Sequence, residues 1–123
     1  MENKLELSLG GEVRTLAMGD MGFLKNLGRV NTENFDLLNT EYFSDPGKAY
    51  TAALIIVHAG LLNAGYKDLT SEMVEGWLDK VPIESITDIH YAGIAAITRK
   101  TVDELKKVAA QAVAQNGVTK VQN

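Results

Sequence analysis

Leu5, Leu7 and Leu9 alternate with Glu6 and Ser8 near the start of the chain, and Val13 and Leu16 resume after Gly10-Gly11. A period of two is the side-chain repeat of a strand, and a Gly-Gly pair supplies the positive φ angles of a two-residue hairpin turn. The spacing predicts a β-hairpin over residues 5–16, with the three leucines on one face and Val13 as their companion on the second strand. An isolated hairpin is marginal in water, so this one should lean on something larger.

Beyond Asp20 the apolar positions recur with the period of a helix. Asp20 caps a short helix carrying Met21, Phe23, Leu24 and Leu27, and Gly28 sits where a helix commonly stops. Asn31 and Thr32 offer a second cap, ahead of Phe35, Leu37, Leu38, Tyr42 and Phe43 at helical spacing. The sharpest boundary is Ser44-Asp45-Pro46. Asp45 suits an N-cap, and Pro46 suits the first helical position, where its missing N–H costs nothing. The helix it opens should end near Asn63 to Gly65.

From Ala49 to Tyr66 there is no Asp, Glu, Lys or Arg. That run is short of the ~20 apolar residues a bilayer requires, and it contains Thr51, His58 and Asn63. A central helix, apolar nearly all round, is the expectation. Thr70 caps the next helix, with Glu72 and Glu75 favouring its dipole and Met73, Val74, Trp77 and Leu78 as its buried stripe. Lys80 closes it, and Pro82 opens another that carries Ile83, Ile86, Ile89, Tyr91, Ile94 and Ile97.

Thr101 and Glu104 have capping-box spacing, which fits either a fresh helix start or a turn inside one helix from Pro82 to Gln115. The unbroken alternative would run about 50 Å at 1.5 Å per residue. A body of this size has a radius of gyration of ~14 Å, so a break or a protruding end is expected. Val102, Leu105, Val108, Ala109, Ala112 and Val113 form a narrow stripe on this last helix, 101–116, ahead of a frayed tail at 117–123. On a projecting helix such a stripe is a partner-binding surface; folded back, it joins the core.

The chain of 123 residues reads as one domain, with 46% hydrophobic and 23% charged residues. A net charge of −4, with the basic pairs Arg99-Lys100 and Lys106-Lys107 beside acidic residues, argues against nucleic acid as a partner. No cysteine is present, which excludes disulfides and thiolate metal sites. Met1-Glu2-Asn3-Lys4 lacks the features of a secretory signal, so a cytoplasmic, non-secreted protein is expected.

Chemistry is sparse. His58 lies among Ile55, Ile56, Val57 and Leu61, the setting of a structural histidine, and His90 does not share a helix face with Asp88. Two histidines without cysteine make a zinc site a poor reading. Ser8, Ser44, Ser71 and Ser85 have no nucleophile-elbow context, and Gly10-Gly11 lacks the lysine and helix of a phosphate loop. Asp36, Glu41 and Asp45 are spaced like solvating surface acids. No catalytic residue, cofactor or metal is expected.

The order of these segments resembles a family. Leu5 to Leu16 is similar to the opening hairpin of the small tail assembly chaperones of tailed bacteriophages and prophages, and Gly22-Phe23-Leu24-Lys25-Asn26-Leu27-Gly28 resembles the helix that follows it there. Ala52 to Ala64 resembles their central apolar helix, and Leu69 to Asp79 their capped helix ending in an acidic-Trp-Leu segment. The resemblance covers Lys4 to Thr98; the chain from Thr101 onward has no counterpart. It implies a non-enzymatic protein that binds the tape measure protein, and often tail tube subunits, before the tail is built, and that is absent from the finished virion.

The fold expected is α+β and mostly α, a short N-terminal β-hairpin packed on a bundle of four to six helices, with residues 20–98 as the helical body. The other functional expectation is a small structural or regulatory protein-interaction module, unrelated to phage, that dimerises as a homo-oligomer through the 102–113 stripe.

Overall fold

The computed structural model describes residues 4–111. β1 (Lys4–Leu9) and β2 (Glu12–Ala17) pair antiparallel through Gly10 and Gly11, whose φ angles are +63° and +83°. Both glycines take the left-handed conformation that a type I′ turn demands. This turn sets Leu9 opposite Glu12, Leu7 opposite Arg14 and Leu5 opposite Leu16. Directly opposed residues share a face of the sheet. The inner companions of the leucines are therefore Arg14 and Leu16. Val13, expected there, pairs with Ser8 on the outer face and is 69% exposed.

Each predicted N-cap but one starts a helix. Asp20 accepts from Phe23 N at 3.1 Å and opens α1 (Met21–Val30). The helix passes through Gly28, expected as its stop, and ends at Asn31. Asp45 accepts from Lys48 N at 3.2 Å and Pro46 leads α2 (Pro46–Asn63), followed by Gly65 at φ +103°. Thr70 accepts from Met73 N at 3.2 Å to start α3 (Ser71–Leu78). Val74 and Leu78 of that helix are buried, Trp77 is half-buried, and Met73 is turned to solvent. Pro82 caps α4 (Ile83–Thr98).

The exception is the segment after α1. Asn31 does not start a helix. Its side-chain amide accepts from Phe35 N at 2.8 Å and donates to Phe35 O at 2.9 Å. That double bond replaces helical backbone pairing and holds residues 31–39 as a loop, with Asn34 in the left-handed region at φ +55°. Only Thr40–Ser44 coils, as a 3-10 turn.

The chain breaks after α4. Arg99 turns left-handed at φ +61°, and the capping box closes reciprocally: Glu104 N donates to Thr101 Oγ1 at 3.1 Å, and Thr101 N to Glu104 Oε1 at 3.2 Å. A fifth helix, α5, begins at 102 and continues to the end of the described chain at 111. Leu105 is 2% exposed and Ala109 is buried in the same core. Lys106 Nζ lies 5.8 Å from the centre of the Tyr91 ring, so α5 turns back toward α4.

α2 is the axis of the core: α1, β2, α3, α4 and the 3-10 turn all pack on it. α4 approaches tightly at Gly93, where an added Cβ would lie 2.7 Å from Cγ1 and Cγ2 of Ile56. The architecture is α+β and mostly α, a two-stranded hairpin on a helical bundle. No helix among the described residues is long and apolar enough to cross a membrane.

Candidate functional site

The expected partner-binding stripe does not form an open surface where it is described. Leu105 and Ala109 are in the core, Val102 packs against it, and Val108 is half-buried. The three-residue link after α4, residues 99–101, is the reason, since it folds α5 back on the body. Ala112 and Val113, and the tail at 117–123, lie outside the described residues.

Apolar surface is exposed instead around the loop that sequence periodicity reads as a helix. The end of α1, residues 31–38 and the end of α4 enclose an open groove of about 500 Å³. Leu27, Phe35, Leu37, Leu38 and Ile97 supply its apolar lining, with Asn31, Asn34 and Asp36 as its polar lining. Phe35 and Leu37 are half-buried against the core, while Leu38 stands 54% exposed. Phe35 also packs against the Tyr42 ring, with centroids 5.3 Å apart. The clamp by Asn31 is what gives the groove its shape.

A second feature is the support under the hairpin tip. Arg14, from the inner face of β2, lies over the Trp77 ring at 4.4 Å and near the Tyr66 ring at 5.8 Å. Its Nε donates to Leu9 O at 3.1 Å and its guanidinium pairs with Glu12 at 3.3 Å. Gly10 passes so close that an added Cβ would meet the Trp77 ring. Thr15 N donates to the Tyr66 hydroxyl at 3.3 Å, and Asn63 Nδ2 donates to Ala17 O at 2.9 Å. Trp77 is therefore the platform on which the hairpin rests, and the outer edge of β2 is tied to the body.

The histidines are both inside. His58 is buried on α2, and burial lowers its pKa against an opposing hydrogen bond at the Leu69 backbone. His90 has no exposed surface, and neither ring nitrogen has a hydrogen-bond partner among the described residues. Its ring packs on Phe43 at 4.4 Å, and Phe43 stacks on Tyr91 at 4.1 Å. Burial pushes the His90 pKa down to about 4, so the ring is neutral at neutral pH. An isoleucine-rich helix gives no hint in sequence that its one imidazole is sealed.

Between α2 and α3, Tyr50 donates its hydroxyl to Asp79 Oδ1 at 2.6 Å beside a hollow of about 250 Å³. Burial and the Asp79 carboxylate both raise the Tyr50 pKa above its ordinary value of 10, so the hydroxyl stays a donor well into the alkaline range. Among the described residues no three His, Asp or Glu side chains gather as metal ligands. The chemistry these surfaces offer is apolar docking and backbone pairing. Comparison with protein-family models, with curated proteins and with solved structures finds no match for this chain.

Proposed function

We propose that this chain is a non-enzymatic tail assembly chaperone of a tailed bacteriophage or prophage. In this reading it acts in the bacterial cytoplasm and binds the tape measure protein, the tail tube protein or both before the tail is assembled. The observation that carries the reading is the groove around Leu38. It is open, apolar along its lining, and supplied with polar groups from Asn31, Asn34 and Asp36. A tape measure protein is a long helix with apolar stripes, and such a stripe laid helix-in-groove would cover Leu38 while its polar flanks meet those groups. The order of hairpin, short helix, apolar helix and Trp-bearing capped helix supports the same reading through the resemblance.

The test is co-expression with a tape measure protein and a tail tube protein of the phage or prophage that carries this gene, followed by affinity capture. Wild-type protein is expected to retain the tape measure protein in the soluble fraction. Leu38→Asp, at an exposed position, should weaken capture by about tenfold or more with an unchanged melting temperature. Failure to capture either client, or equal capture by the variant, would overturn the proposal.

A further inference from the structure

The two edges of the hairpin are treated differently. In a two-residue hairpin the pair flanking the turn is hydrogen-bonded, and bonded pairs then alternate along the ladder. Leu9, Leu7 and Leu5 thus use their backbone groups on β2, whereas Ser8, Glu6 and Lys4 point theirs away from it. On β2 the corresponding outward groups include Thr15 N–H and Ala17 C=O, which bond to Tyr66 and Asn63. On β1 no group among the described residues bonds to the outward backbone of Lys4, Glu6 or Ser8. α2 packs on β2, and β1 is the strand farther from it.

We infer that the outer edge of β1 pairs with β1 of a second copy of this chain, antiparallel about a two-fold axis at Leu5, to make a continuous four-stranded sheet. The charge pattern selects this occupant and this register. With Leu5 opposite its own copy, Lys4 of each chain faces Glu6 of the other, and both contacts are attractive. Sliding the strands by one repeat sets Glu6 against Glu6. Sliding further sets Glu6 against Ser8 and leaves Lys4 without an acidic partner. Lys4 and Glu6 are both exposed on the outer face, ready to meet across the join, and half-buried Leu5 would be covered by its symmetry mate on the inner face. The pairing would add about four backbone hydrogen bonds. Its contact is at the small end of interface sizes, so the dimer is expected to form reversibly with concentration. This inference is independent of the chaperone reading and of the Leu38 groove.

Sedimentation velocity of the full chain from micromolar to millimolar concentration tests it, together with Lys4→Glu and Glu6→Lys. Both side chains are exposed, so both variants should fold with wild-type helicity. Wild type should dimerise. Each variant alone places like charges at both contacts and should associate about tenfold more weakly. An equimolar mixture of the two variants restores opposite charges at both contacts in this register, and should recover dimer as a heterodimer. Amide exchange at Lys4 and Glu6 should slow as concentration rises. A wild type that stays monomeric throughout would show that these charges guard the edge against pairing, and would overturn the inference. So would a mixture that associates no better than its components, or a dimer with unprotected β1 amides.

Discussion

Acidification should loosen this fold through His90. The imidazole has no exposed surface, its two nitrogens lack partners among the described residues, and its neighbours include the ring of Phe43. Folding therefore requires the neutral form, and burial lowers the pKa from 6.5 to about 4. As pH falls below 6.5 the unfolded chain takes up the proton first, so stability present above 6.5 is lost progressively and is gone by about 4. At roughly 1.4 kcal/mol for each tenfold change in proton affinity, the loss is about 3 kcal/mol. A domain has about 5–15 kcal/mol in total, so the effect is large. His58, also lowered by burial, adds to it in the same direction. Asp20, whose carboxyl is held below 3.8 chiefly by the Asn63 amide, acts only at the acid end of this range and below. Urea unfolding followed by circular dichroism across this range measures the loss, with His90→Phe as the control. The variant keeps a ring against Phe43 and removes both unpaired nitrogens. It should lose most of the slope between neutral pH and 4, keep a residue of it from His58, and be at least as stable as wild type at neutral pH. Parallel slopes for the two proteins would refute the reasoning.

Gly93→Ala should cost about 1–3 kcal/mol in urea unfolding, because the new methyl group meets Ile56 across the α2–α4 contact. Leu105→Ala should cost about 2–5 kcal/mol, since that side chain is core; a variant as stable as wild type would mean that α5 does not pack on the body. Asn31→Ala removes both bonds that clamp Phe35 and should cost about 1–3 kcal/mol, with faster amide exchange confined to residues 31–39 as the diagnostic readout.

The elements legible in the sequence are those whose signals are local. Gly10-Gly11 defines a turn whatever surrounds it, because few other residues tolerate two successive positive φ angles. Asp20, Asp45-Pro46 and Thr70 act within one helical turn of themselves, so each marks a helix start without reference to the rest of the chain, whereas the Thr101–Glu104 box fits a fresh start or a turn inside one helix until the left-handed Arg99 breaks the chain before it. The charge-free run of α2 likewise announced the central helix, since a segment with no polar face can only be surrounded. Tertiary structure decided the remainder. Phe35, Leu37 and Leu38 have helical spacing, yet two bonds from the Asn31 amide outcompete a helix there and leave an open groove. Val13 lost its place beside the leucines to Arg14, because the turn register, not apolarity, assigns faces, and Trp77 was waiting beneath for a cation. The stripe on α5 reads identically whether it meets a partner or its own domain. The left-handed turn at Arg99 folded it home, and the packing of α4 against α2 and the 3-10 turn sealed His90, because burial depends on residues far apart in the chain that no local pattern encodes.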